Sequence, residues 1–235
     1  MKVIKAHDYA DLSKKAATLI AAQVIRNPKS VLGLATGSTP VGVYAELTAL
    51  YKVGVIDFAG ITTINLDEYC GLAADHPQSY ACFMRQNLFD HLNIGPGNTH
   101  LPNGMASDAP GECLRYEGLI EGLGGIDLQL LGIGRNGHIG FNEPGESFPA
   151  MTHLTELAKD TLDANSRFFG PGEKVPTQAL SMGIGTIMRA RSILLIASGP
   201  DKAWALDKMI NGPVTPQLPA SVLQFHPDAT VIHCG

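Results

Sequence analysis

Residues 126 to 146 read IDLQLLGIGRNGHIGFNEPGE, and the fold turns on what this stretch is. IDLQLL is a short aliphatic run of the kind found in a strand covered on both faces. The fifteen residues after it hold five glycines, two asparagines, a histidine and two glutamates. Glycine loses more backbone freedom on folding than any other residue, so this density implies tight turns or close backbone approaches beside a small ligand. GIGRNG matches G-x-G-x-x-G after a strand, but a dinucleotide fingerprint must run straight into a helix. HIGFNEPG, with glycine and proline at short intervals, does not start one. What remains is a glycine-bent loop carrying Asn136, His138 and Glu143, in which an imidazole with a carboxylate to fix its tautomer forms a general acid/base assembly.

Outward from this loop, short β-branched runs at 31–36, 61–68, 126–134, 192–198 and 229–234 alternate with helical-period segments at 8–26, 40–52, 79–92, 108–122 and 200–211. That rhythm predicts an α/β fold with an open, mostly parallel, doubly wound (Rossmann-like) sheet and helices on both faces. With no repeat, low-complexity segment or linker in 235 residues, it reads as one domain over 1–235. The irregular stretch RFFGPGEKVPT at 167–177 reads as part of a lid around 150–177, or else as an ordinary surface connection.

Composition narrows the function. A net charge of −5 and no basic run beyond Lys14-Lys15 argue against a nucleic-acid partner. The aliphatic stretches fall short of the roughly 20 residues that span a bilayer, and the N-terminus lacks a signal-peptide core. A soluble cytoplasmic protein with a small-molecule substrate is the expectation. Four cysteines without a C-x-x-C pair read as reduced thiols. Eight histidines form no H-x-H or H-x-x-x-H pair, which disfavours zinc, and no G-x-S-x-G elbow is present.

In an open parallel sheet, ligands bind beyond the carboxyl ends of the strands. The run at 31–36 leads into Thr36-Gly37-Ser38-Thr39-Pro40, a stretch that resembles a phosphate cradle at a helix start and lacks the Gly-Lys-Ser/Thr ending of a nucleotide loop. Taken alone, Ser38 or Thr39 is equally a helix cap. Lys202, in the first turn of a helix beginning near Pro200, sits at the positive end of a helix dipole and favours a nearby anion, which Asp201 or a phosphate could supply. Arg167 is a candidate third phosphate contact. Asp67, followed by Glu68, ends an apolar and hydroxylic strand, where desolvation would raise its pKa toward a useful base. Alone it reads more readily as a turn cap, and its company on the shared sheet edge reverses that preference.

TGSTP, NLDEYCGL, LGIGRNGHIGFNEPG, ANSRFF and SGPDKA, in this order along the chain, resemble the glucosamine-6-phosphate deaminases, a group related to 6-phosphogluconolactonase. The resemblance implies reversible conversion of glucosamine 6-phosphate to fructose 6-phosphate and ammonia, a reaction of the hydrolase class in amino sugar catabolism, without metal or organic cofactor. It implies that His138 assists ring opening, with Glu143 and Asn136 orienting it, and that Asp67 moves a proton from C2 to C1. Thr36, Gly37, Ser38, Thr39, Arg167 and Lys202 would hold the phosphate. Asn136 stands where many longer members carry Asp, and MTHLTEL at 151–157 lacks the basic residues with which regulated members bind an activator. An unregulated monomer or small homo-oligomer follows. The rivals are a lactonase of the same fold, which has little use for a C2 base, and a non-catalytic sugar-phosphate sensor.

Overall fold

The run SILLIAS at 192–198 has no polar alternation, and its five central residues are buried on both faces, as an interior strand requires. In a computed structural model of the chain, residues 1–158, 162, 169 and 175–235 are described. Seven strands form the main sheet: β1 (Lys2–Lys5), β2 (Val31–Leu34), β3 (Thr62–Asn65), β5 (Thr99–His100), β6 (Leu128–Leu131), β9 (Ser192–Ser198) and β10 (Ala229–Cys234). Their order is β1-β10-β9-β6-β2-β3-β5, and every pairing is parallel. A smaller antiparallel sheet joins β4 (Asp67–Tyr69), β8 (Gln178–Ser181) and β7 (His153–Glu156), with β8 central.

Among the described residues the helices include α1 (Tyr9–Arg26), α2 (Val41–Lys52), α3 (Tyr80–Asn87), α4 (Ala109–Gly122), α5 (Ile184–Met188) and α6 (Ala203–Asn211). Local chemistry starts several of them. Asp8 accepts from the Asp11 N–H at 2.8 Å, Ser79 from Cys82 at 3.0 Å and Asp108 from Gly111 at 3.0 Å, each satisfying a donor that the first turn leaves free. Connections from β1 to β2, β2 to β3 and β3 to β5 all advance toward one edge, and those from β5 to β6, β6 to β9 and β9 to β10 run back. Right-handed crossovers therefore place α1, α2 and α3 on one face and α4, α5 and α6 on the other. The doubly wound expectation is met.

Two differences from the sequence reading position the site. The run 61–68 is two strands in two sheets, because Leu66 donates its N–H to Leu34 O at 3.1 Å and accepts from Met182 N at 2.7 Å, after which the chain pairs antiparallel with β8. The helical segment 79–92 ends at Asn87. Leu88 leaves helical geometry (φ −144°, ψ −60°), and one 3-10 turn, Phe89–His91, follows.

Gly104 backs the small sheet: a Cβ there would lie 2.0 Å from the Tyr69 carbonyl oxygen, a main-chain atom that cannot swing aside. Overpacking of this kind costs about 1–3 kcal/mol. Gly104→Ala should lower the urea midpoint accordingly. An unchanged midpoint would show that β4 gives way freely.

Candidate active site

Strand β2 hands the chain on to β3 at one side, while β6 hands it on to β9 at the other. The loops after β2 and β6 diverge, and the crevice between them is the topological switch point where open α/β sheets bind ligands. Thr36–Thr39 flanks it on one side and 132–145 on the other.

Asp67 is the first residue past the joint between the sheets and is only 5% exposed. Among the described residues no donor is bonded to its side chain. Burial foremost, and then the charge of Glu68, push its carboxyl up to about 8. Glu68 is also buried, and burial raises it too, but it accepts from the N–H groups of Tyr69, Tyr80 and Ala81, each at 2.9 Å. Two of those are free donors of the first turn of α3, so Glu68 is a helix-terminal carboxylate held against the dipole. Neighbouring carboxylates thus have opposite environments, one bonded and one bare.

The glycine loop is bent by its own main chain. His138 O accepts from Gly134 N at 2.9 Å and Gly134 O from Gly137 N at 3.1 Å. Gly137 sits at φ +86°, and the His138 ring lies against Gly134 so closely that a Cβ there would come within 2.5 Å of three ring atoms. The segment before β10 braces the loop: Ala220 N donates to Gly137 O at 2.9 Å and Gly145 N to Pro216 O at 3.1 Å. Asn136 accepts from the His138 N–H at 3.2 Å and donates through Nδ2 to Glu143 Oε2 at 2.7 Å, which fixes its amide orientation. The same Oε2 lies 3.3 Å from His138 Nδ1. A carboxylate facing Nδ1 favours the proton there and leaves Nε2 as the acceptor. Asn136 therefore orients Glu143, and Glu143 faces the imidazole. Further along, Gly140 turns back so that a Cβ on it would lie 3.7 Å from Asp67 Oδ2 and 3.1 Å from Ser181 Oγ. The loop and the buried carboxylate meet there.

Gly37 takes φ +105°, a backbone angle that favours glycine. The capping alternative for Ser38 and Thr39 does not hold: Pro40 occupies the N-cap of α2, and no side chain caps it. Elsewhere at the crevice the Tyr80 hydroxyl donates to that of Tyr69 at 3.1 Å. Lys202 follows β9 with its Nζ 3.5 Å from Asp201 Oδ2, and Arg135 Nε donates to that same oxygen at 2.8 Å. One carboxylate thus gathers two cations at the crevice edge. Arg135 went unrecognised in the sequence although it lies inside the quoted loop; its charge was the available signal. Ser181 and the Ala220 brace had none, being brought in by distant pairing. Arg167 lies outside the described residues. Of the expected lid, Leu162 and Phe169 pack against the buried cluster of Tyr69, Leu72, Phe141, Leu157 and Ala179, with Phe169 stacked on His76 at 6.4 Å. Among the described residues no group of three or more His, Cys, Asp or Glu side chains is disposed to hold a metal ion, and no helix is long and apolar enough to cross a membrane.

Residues 5–232 match the family model described as glucosamine-6-phosphate isomerases/6-phosphogluconolactonase. The chain is 57% identical over 234 residues to a glucosamine-6-phosphate deaminase of Lachnoclostridium phytofermentans, covering 100% of this chain and 99% of that one. It is 53% identical to one of Clostridioides difficile, with 99% and 93% covered. Among solved structures, a monomeric glucosamine-6-phosphate deaminase superposes with a TM-score of 0.97 at 47% identity, covering 100% of this chain and 97% of that one. A 6-phosphogluconolactonase of Thermotoga maritima superposes at 0.77 with 21% identity and full coverage of both chains, a likeness of fold alone.

The raised Asp67 carboxyl carries a cost with a definite sign. The folded state binds the proton more tightly than the unfolded chain, so the group's contribution is fully present below the ordinary carboxylate pKa of 3.8 and is lost as pH climbs through about 8. Asp67→Asn cannot ionise. Calorimetry should show its Tm above that of the parent at pH 8, with the gain shrinking toward pH 4. Equal melting at both pH values would mean that the carboxyl is not desolvated.

Proposed function

The chain belongs to the family of glucosamine-6-phosphate isomerases and 6-phosphogluconolactonases, and we propose that it catalyses reversible isomerisation and deamination of glucosamine 6-phosphate. The products are fructose 6-phosphate and ammonia, with water consumed, so the net reaction is a hydrolysis within amino sugar catabolism. The observation that carries the reading is Asp67, a buried carboxylate that accepts from no donor among the described residues and lies beside the glycine loop. Identity above 50% to curated deaminases supports it over the lactonase alternative; lactone hydrolysis requires an activated water and no base at C2.

In this reading His138 Nε2 takes the proton of the anomeric hydroxyl and returns it to the ring oxygen, opening the pyranose. Glu143, held by Asn136, stabilises the imidazolium formed on the way. Asp67, ionised, removes the proton from C2; the electron pair forms a C1–C2 double bond as the C1=O π bond breaks onto O1, which takes a proton from the substrate ammonium, to give an enolamine. The carboxylic acid so formed delivers its proton to C1, leaving an imine at C2 that water converts to ketone and ammonia. The substrate ammonium beside Asp67 favours its ionised form, lowering the raised pKa where chemistry needs it. Ser38, Lys202 and the N–H groups of the Thr36–Thr39 loop receive the phosphate, with Arg167 joining them. The segment 150–177 serves as the lid over the site in a single domain of 1–235. The enzyme acts in the cytoplasm as a monomer or small homo-oligomer.

Incubation with glucosamine 6-phosphate should release ammonia, and incubation with 6-phosphogluconolactone should leave the lactone at its spontaneous rate. Lys202→Ala removes a charge-assisted contact and should raise KM about tenfold to a hundredfold. Lactone hydrolysis without ammonia release would overturn the reading.

A further inference from the structure

One side chain from outside the sheet reaches the loop assigned to the phosphate. Tyr9 opens α1, and its hydroxyl lies 3.2 Å from Ser38 O and 3.0 Å from Thr39 O, donating to both. The same oxygen accepts the Gly42 N–H at 2.8 Å. These contacts span about thirty residues of sequence and join the start of α1 to the start of α2.

The close approach is built in. A Cβ at Gly42 would come within 2.9 Å of the Tyr9 hydroxyl and 2.4 Å of Ser13 Oγ, so the two helices meet because this position has no side chain. Ser13 Oγ donates to Tyr9 O at 2.8 Å, anchoring the first turn that carries the ring.

The consequence follows from peptide geometry. In a trans peptide unit the C=O and N–H point in opposite directions. Drawing the Ser38 carbonyl toward Tyr9 therefore turns the Thr39 N–H away from it. The next unit, Thr39-Pro40, has no N–H, and its carbonyl is likewise held by Tyr9. Freed from the hydroxyl, either carbonyl could rotate toward the crevice and oppose an anion with its partial negative charge.

We propose that Tyr9 is a positioning residue for phosphate binding: its hydroxyl holds the Ser38 and Thr39 carbonyls toward α1 and so presents the Thr39 N–H to the phosphate of the substrate. The inference rests on the reading that residues 36–39 receive that phosphate.

Tyr9→Phe removes only the hydroxyl, and Gly42→Ala keeps the hydroxyl but displaces it. For both variants KM for glucosamine 6-phosphate and the inhibition constant of inorganic phosphate should rise together by about fivefold to tenfold, the effect of one neutral hydrogen bond. For Tyr9→Phe, kcat should stay within about twofold of the parent. A purely structural role would lower the Tm and leave both constants of the folded enzyme in place. If Tyr9→Phe leaves both constants unmoved while Lys202→Ala raises them, Tyr9 does not position the loop and the phosphate reading stands. If Lys202→Ala moves neither, the phosphate reading falls and the inference falls with it.

Discussion

Two main-chain hydrogen bonds at Leu66 hold the site in place: its N–H to Leu34 in the parallel sheet, and its C=O from Met182 beside the antiparallel one. A single residue thereby belongs to both sheets, and its successor is confined between them. Asp67 pairs with Ser181 in the small sheet and is buried. Its side chain is desolvated by burial, and no donor among the described residues offsets this. That arrangement is costly for a carboxylate in the resting protein, which is the usual trade between stability and a reactive group.

The other elements serve this confined carboxylate. Glu68 closes the N-terminus of α3, where it accepts from Tyr80 and Ala81, and its negative charge helps to raise Asp67. The glycine loop delivers an imidazole by close approach, with Gly134 under the ring and Gly140 against Asp67 and Ser181. Across the crevice the loop Thr36–Thr39 is shaped by a glycine at positive φ and by carbonyls that Tyr9 holds. The glycine constraints are steric, while the Glu68 carboxylate and the Tyr9 hydroxyl act through bonds to main-chain groups. Few depend on a mobile charged side chain, the exception being the Arg135–Asp201–Lys202 cluster at the rim.

Much of this was legible in the sequence because the fold concentrates chemistry at strand ends, and strand ends are local features. TGSTP, LDE, GRNGH and SGPDK each follow an aliphatic run, and a parallel sheet places such ends on one edge. The hidden parts depend on pairing between distant segments. Nothing in ITTINLDE marks Leu66 as the point where partners change, and β7 and β8, four residues each, carry no run strong enough to stand out. Edge strand β1 is mostly exposed and lacks a buried pattern. The sequence does not show that Glu68 is held by N–H groups of α3, more than ten residues away. Tyr9 reads as an ordinary first-turn residue, and its role is visible only once α1 and α2 are packed together.

The account stands on Asp67 as the base that moves a proton between C2 and C1. Solvent deuterium entering C1 of fructose 6-phosphate in the presence of ammonia, followed by NMR, reports that step without requiring net turnover. The parent enzyme should exchange measurably, and Asp67→Asn should exchange slower by about 10² to 10⁴ or not at all, while still binding the sugar phosphate with similar affinity. Exchange by Asp67→Asn at the parent rate would contradict the account.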